Sequence, residues 1–456
     1  MTHDLNNTIP LLKYLKEDSF IQNIDKKKIP LGYKTNENLI LYYNNDDLLK
    51  DITEYDKKLF NCTKSVLLNK DTMKPIYTQY NNMIMNTEAK SQLKNVNWDN
   101  VTIEKSYEGT AIIVFYHNNK WCLSTRRCID ANQSKWIYGL SYYDMFMDSI
   151  STKFSLEDLD KKFCYHFVLV HFKNINIINY REFGANYKEV IHVLTTEKDT
   201  CLEVNYEINK NVKTPEKMSF KSLNDLLLNL GSISYSNEVD KKITTEGFVL
   251  KHYNNKEKSG YFNLFKFQTD LYIRISLLKP NNSNLNQCFL ELYQKDLLQD
   301  VLPYITNYHY DVVKRINYAF KTITREILNI YHNTRKKKNP FLYESLKESY
   351  KKVIYGLHGI YINNKKKLFQ EENNEDNKFK SITIHNVYYY IKNLDARTLR
   401  NLFLERILMI HEGKVNEFLN EDCIYCKTHT ILMFGSVIQE LENKRETEET
   451  NVLVSQ

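Results

Sequence analysis

The feature that most constrains the fold is a change of hydrophobic period near residue 280. From Val101 to about Leu277, short β-branched and aromatic runs are separated by Asn, Gly and Lys clusters, the pattern of hairpins and meanders. Beyond Pro280 and the turn cluster Asn281-Asn282-Ser283-Asn284, apolar residues recur at three- and four-residue steps through most of the remaining chain. A chain of 456 residues also exceeds the size at which one hydrophobic core usually stops growing. Two domains follow: an antiparallel-rich α+β part, and an all-helical part beginning near residues 280 to 290.

Within the first part, Ala111 to Tyr116 and Trp121 to Thr125 flank His117-Asn118-Asn119-Lys120, a hairpin. Further strands are expected over Cys164 to Phe172, Val190 to Thr195, Gly247 to Lys251 and Tyr261 to Phe267. In the second part, Val312, Ile316, Phe320, Ile323, Ile327 and Ile330 define one buried helix face, ended by Arg335-Lys336-Lys337-Lys338 and Pro340. Asp395 reads as the cap of another amphipathic helix through Leu399, Leu402, Phe403 and Ile407. The expected division is 1–100 as the lead-in to, or first part of, the α+β domain, 101–285 as its core, 290–440 as the helical domain and 441–456 as a flexible tail. The acidic, Asn-rich run inside Phe369 to Lys380 reads as a mobile loop.

Charge and cysteine usage remove some function classes. The 63 Lys+Arg against 56 Asp+Glu leave a net charge of +7, which permits a polyanionic partner without demonstrating one, because Lys, Asn, Ile and Tyr are over-used together. Eight irregularly spaced cysteines and a polar Met1 to Asn7 argue against secretion and for reduced thiols. No run approaches the roughly 18 uncharged apolar residues needed to cross a bilayer, so no membrane partner is expected. Cys423, Cys426 and His429 have the close spacing of zinc ligands, with His411 twelve residues before Cys423. Structural thiols are the competing reading.

Four pieces of sequence, in order and each at an expected strand, carry a more specific pattern. They are Glu104-Lys105-Ser106-Tyr107-Glu108-Gly109-Thr110, Tyr165-His166-Phe167-Val168, Thr245-Glu246-Gly247-Phe248-Val249 and Leu264-Phe265-Lys266-Phe267-Gln268. The piece around Ser106 resembles the Lys-x-Asp/Glu-Gly motif that opens the active site of phage-type RNA ligases. The piece around His166 is similar to the family's aromatic-Glu-aromatic nucleoside strand, that around Glu246 to its Glu-Gly-hydrophobic metal strand, and that around Lys266 to its Lys-x-Lys phosphate strand. The resemblance covers roughly residues 100 to 280 and implies a nucleotidyltransferase domain of ATP-grasp-like antiparallel sheets followed by a helical C-terminal domain. With Lys120-Trp121, Ser124-Thr125-Arg126-Arg127 and Ser134-Lys135-Trp136, the chain is similar to degenerate RNA-ligase-like proteins of large DNA viruses. That likeness implies a place in host cytoplasm or virion, with RNA as partner and ATP and magnesium as cofactors if the chain is active.

The family's chemistry needs an amine nucleophile, a metal-binding carboxylate and phosphate-neutralising lysines around one cleft. Carried over by position, these implied roles fall on Lys105 as catalytic lysine, on Glu246 at the metal, and on Ser106, Glu108, Gly109, Arg126, His166, Lys266 and Gln268 at the nucleotide. Three positions depart from the pattern. Ser106 stands where the nucleophilic lysine belongs and Lys105 lies one residue early, which on a strand reverses the face a side chain points to. His166 replaces a glutamate, and Gln268 replaces the second lysine of the phosphate strand. Three readings stay open: a catalytically degenerate RNA-binding module, an active ATP-dependent RNA ligase using a shifted lysine, and a structural or interaction protein.

Overall fold

The computed structural model describes residues 9–419, apart from 17–19, 46–47, 49–52, 54–58, 80–82, 138, 175, 199, 255–257, 259–261, 281–284, 306–308, 336–338, 371–380 and 414. The zinc-like cysteines, the charged tail and most of the acidic loop therefore lie outside the described residues. Contacts divide the chain into two units, Met1–Ser276 and Leu277–Gln456. The first mixes helices with largely antiparallel sheets and the second is helical, so the α+β class with a helical C-terminal part expected from the sequence is borne out.

The first hundred residues, which lack a clean period, build a four-stranded meander of β1 (Leu31–Thr35), β2 (Leu39–Asn44), β3 (Ser65–Asn69) and β4 (Pro75–Gln79). From β2 to β4 successive residues are buried rather than alternating with exposed ones, because both faces are covered. This explains why no period-two signal marks them. The same stretch also supplies β5 (Ile84–Met85), which pairs in parallel with a strand nearly two hundred residues later.

Beyond it come β6 (Val101–Lys105), β7 (Thr110–His117), β8 (Lys120–Thr125), the short pair β9 (Lys135–Ile137) and β10 (Leu140–Ser141), β11 (Phe163–His171), β12 (Lys188–Glu197), β13 (Lys217–Met218), β14 (Gly247–Tyr253) and β15 (Phe262–Gln268). They form a second sheet in the order β12-β11-β7-β8 and a third in the order β13-β6-β14-β15-β5. The β7–β8 hairpin closes on Asn118 and Asn119, both at positive φ (47° and 60°), the turn that matches strand twist.

Each of these two sheets has an apolar face packed under other elements. Ile112, Val114, Tyr165, Phe167 and Leu169 of the second sheet lie in one core with Met145 and Phe146 of the helix Tyr142–Ile150. On its opposite face, Ile113, Phe115 and Cys164 meet Leu41, Leu67 and Tyr77 of the meander. In the third sheet Val101, Ile103, Phe248, Leu250, Phe265 and Phe267 pack with Leu226 and Leu230 of the helix Leu223–Val239. The other face of that sheet carries charge.

In the helical unit, Ile316, Phe320, Ile323, Ile327 and Ile330 of the helix His309–Arg335 are buried as the spacing predicts, while Val312 is half-buried. Asp395 caps the helix Ala396–Glu412 by accepting from the Thr398 amide at 2.9 Å. Among the described residues, no helix is long and apolar enough to cross a membrane.

Candidate functional site

A cleft of about 210 Å³ opens between the second and third sheets. Strand alternation decides what faces it. With Ile103, Leu250, Phe265 and Phe267 committed to the helix-covered core, Glu104, Val249, Lys251, Leu264 and Lys266 are turned to the cleft. The facing wall is Ala111, Ile113, His166 and Val168 of the second sheet. There the β11–β12 register shifts beside His166, since Leu194 pairs with His166 while His192 pairs with Phe167. The extra residue, Val193, is a bulge that brings Leu194 onto the cleft wall.

At one end of the cleft, three of the four motifs meet on one carboxylate. The buried Ser106 hydroxyl donates to Glu246 Oε2 at 2.7 Å. Lys266 Nζ lies 2.5 Å from Glu246 Oε1, and Gln268 Nε2 donates to the same oxygen at 2.8 Å. Gln268 is itself oriented by Asn86, which donates to its side-chain oxygen at 3.2 Å and accepts from its amide at 2.9 Å. Glu246 can occupy this place only because Gly247 follows it. A Cβ at Gly247, whose φ is +150°, would sit 1.9 Å from the Phe267 carbonyl oxygen.

A second charged group lies further along the same face. Lys251 Nζ is 2.8 Å from Glu203 and 3.8 Å from Glu104, and the Tyr253 hydroxyl donates to Glu203 at 2.9 Å. Burial raises the Glu104 carboxyl above its ordinary range, against the opposing pull of Lys251. The family-like motifs do not single out these residues. Lys251 has a signal of its own, because it sits two residues after Val249 in an otherwise apolar strand, a charge on the face opposite Leu250. Glu203 has none, since it comes from an irregular connection bridged to Thr196.

The remaining expected residues divide. His166 lines the cleft, with Nε2 3.2 Å from Thr196 Oγ1, and burial reinforced by nearby His192 and Lys251 pushes it down to about 3. It is therefore neutral at physiological pH. Gly109 lines the cleft where β7 comes so close to β11 that a Cβ would meet the Leu169 carbonyl at 2.5 Å. Glu108 is used structurally: its carboxylate accepts from the amides of Ile177 and Ile178, both at 2.8 Å. Arg126 lies in the turn between Thr125 and Cys128, outside the cleft lining.

Lys105 is among the residues that line the cleft, while strand alternation groups it with Val101 and Ile103 rather than with Glu104 and Ser106. The β6–β13 register, which pairs Ile103 with Met218, brings Glu216 beside it, with the amine 4.0 Å from Glu216 Oε2. No bulge interrupts the pairing of β6 with β14 that would re-aim it. Among the described residues, no group of three or more His, Cys, Asp or Glu side chains could hold a metal ion.

No family model and no curated protein matches the sequence. Among solved structures, the chain is similar to a putative ATP-dependent DNA ligase from Aquifex aeolicus at 15% identity, over 64% of this chain and 69% of that one, with a TM-score of 0.36. It is also similar to an archaeal ATP-dependent RNA ligase in two forms. The form 1 structure gives 10% identity over 65% and 79% of the two chains with a TM-score of 0.37. The form 2 structure gives 9% identity over 69% and 82% of the two chains with a TM-score of 0.37.

Proposed function

We propose that this protein is a ligase-like nucleotidyltransferase-fold module that binds a nucleotide or an RNA end and does not adenylate itself. The observation that carries this reading is the occupant of the nucleophile position. Ser106, not an amine, sits beside Glu246 and Lys266, while the Lys105 amine lies 4.0 Å from Glu216 Oε2. A serine hydroxyl held by a carboxylate cannot stand in for the lysine amine of the phosphoramidate chemistry that the resemblance implies.

What is kept suits binding. Lys266 and Lys251 are cations on the wall of a slot that also presents apolar residues such as Val168, Leu194 and Leu264, an arrangement that orients a phosphorylated ligand whose base lies between the walls. At about 210 Å³ the hollow is smaller than the roughly 300–1,000 Å³ of pockets that engulf a whole drug-sized ligand. It takes a nucleoside-sized group and leaves the rest of the ligand outside. Glu246 does not fit a resident magnesium ion as it stands. One of its oxygens is already against the Lys266 ammonium and the other takes the Ser106 hydroxyl. Any magnesium would arrive with the nucleotide phosphates.

Isothermal titration with ATP and magnesium tests the reading. The expected result is saturable binding by the full chain that Lys266→Ala weakens by about tenfold, the loss of roughly one charge-assisted contact. Undiminished binding in that variant would remove the nucleotide from this cleft.

A further inference from the structure

Past the residues of β11 and β12 that line the cleft, the ends of these strands carry aromatic rings that the fold leaves outside its cores. Phe183 is 62% exposed and Phe172 is 38% exposed. Phe172 lies in the turn closed by the Asn174 amide on the His171 carbonyl at 2.9 Å, and its ring stacks on His171 at 4.6 Å. Phe183 lies 5.1 Å from Tyr187 between ring centroids, and Tyr187 stacks on Tyr180 at 6.0 Å and 22°. Phe183 and Tyr187 make a ladder running outward from the buried Tyr180.

The ladder is fixed to the cleft. The Tyr180 hydroxyl donates to the Glu108 carbonyl at 3.0 Å, and the Glu108 carboxylate holds the amides of Ile177 and Ile178. Glu108 belongs to the turn whose neighbours Tyr107 and Gly109 line the hollow. That tie gives Glu108 a role which the resemblance does not supply. The surroundings are cationic: Lys173, Arg181, Lys188 and Lys242 stand against two carboxylates, Asp148 and Glu182, each paired to a lysine. Lys173 Nζ sits 5.2 Å from the Phe172 ring centroid.

Building on the nucleotide-cleft reading, we infer that Phe183 and Tyr187 form a stacking platform for bases of a single-stranded nucleic acid whose terminal nucleotide enters the cleft. Among the described residues, the large exposed apolar side chains here are aromatic and interleaved with cations, which suits base faces and backbone phosphates. A protein-docking patch would be depleted in lysine, which surrounds these rings.

Fluorescence anisotropy of labelled single-stranded oligoadenylate, titrated with the full chain at low salt, tests the platform. Wild type is expected to bind with an affinity that falls as salt rises. The double variant Phe183→Ala/Tyr187→Ala is expected to bind at least about fivefold more weakly with the same salt slope, because rings and not phosphate contacts are lost. Phe183→Trp should keep the affinity, and its indole emission should be quenched as the oligonucleotide binds.

Unchanged affinity in the double variant, with wild type binding normally, would overturn the platform and leave the cleft reading standing. No binding by wild type at low salt would overturn it as well, while ATP titration would report separately on the cleft. Loss of self-association in the double variant, with RNA affinity intact, would make this surface a contact between copies of the chain and would overturn it too.

Discussion

Each unit of this molecule buries an ion pair, and the two pairs are built for different ends. In the helical unit Arg406 and Glu326 join the helices Ala396–Glu412 and His309–Arg335 by a two-pronged bridge at 2.6 and 2.8 Å, with side chains 2% and 5% exposed. Their neighbours along both helices, Ile323, Ile327, Phe403 and Ile407, are buried and apolar. In the sheet unit Glu246 and Lys266 are almost as buried, but Lys266 borders a hollow, and Ser106 and Gln268 converge on the same carboxylate. Burial of charge therefore does not mark a site by itself. The hollow beside the charge does, because a ligand can replace one partner there.

That contrast predicts unequal costs of breaking each pair. Arg406→Ala leaves a carboxylate stranded between helices and is expected to destabilise the chain by about 3–5 kcal/mol, while replacing both partners by Met and Leu recovers most of the loss. Glu246→Gln keeps its shape beside a hollow that water can enter and is expected to cost only about 1–3 kcal/mol. Denaturant unfolding followed by circular dichroism measures both. Equal losses would erase the distinction between structural pair and site.

A smaller effect sharpens the comparison through pH. His166, on the cleft wall, and His192, bonded to Thr195 at 2.8 Å, are pushed down by burial to about 3 and about 4. Both ionise near 6.5 in the unfolded chain. Below that pH the unfolded chain holds more protons than the folded one, so stability present at neutral pH is lost as pH falls from about 6.5 towards 4. The slope is up to roughly 1.4 kcal/mol per pH unit for each histidine. Hydrogen exchange at pH 7 and pH 5 should show the sheet unit loosening first, and His166→Gln should reduce the slope by about half. Equal loosening of both units would contradict it.

Legibility in the sequence follows the burial pattern. A strand with one polar face, such as β15, announces itself by alternation, and the helix His309–Arg335 by its three-and-four spacing. The meander β1–β4 is covered on both sides and hides its period. Glu246, just before β14, and Lys266, on β15, are legible because each stands at a recognisable position, and they do meet. Asn86 and Glu203 are not, since Asn86 reaches Gln268 from 182 residues away and Glu203 comes from irregular chain. The one-residue offset of Lys105 is legible as a question of strand parity, and its amine lies beside Glu216.

The measurement that bears most directly on this account is retention of label. The full chain is incubated with α-labelled ATP and magnesium, denatured, and counted. The account predicts no radioactivity on the polypeptide from wild type, under conditions where titration records ATP bound. Label that survives denaturation and disappears in Lys105→Ala would mean the displaced amine reaches the nucleotide after all, and the protein would be a working nucleotidyltransferase.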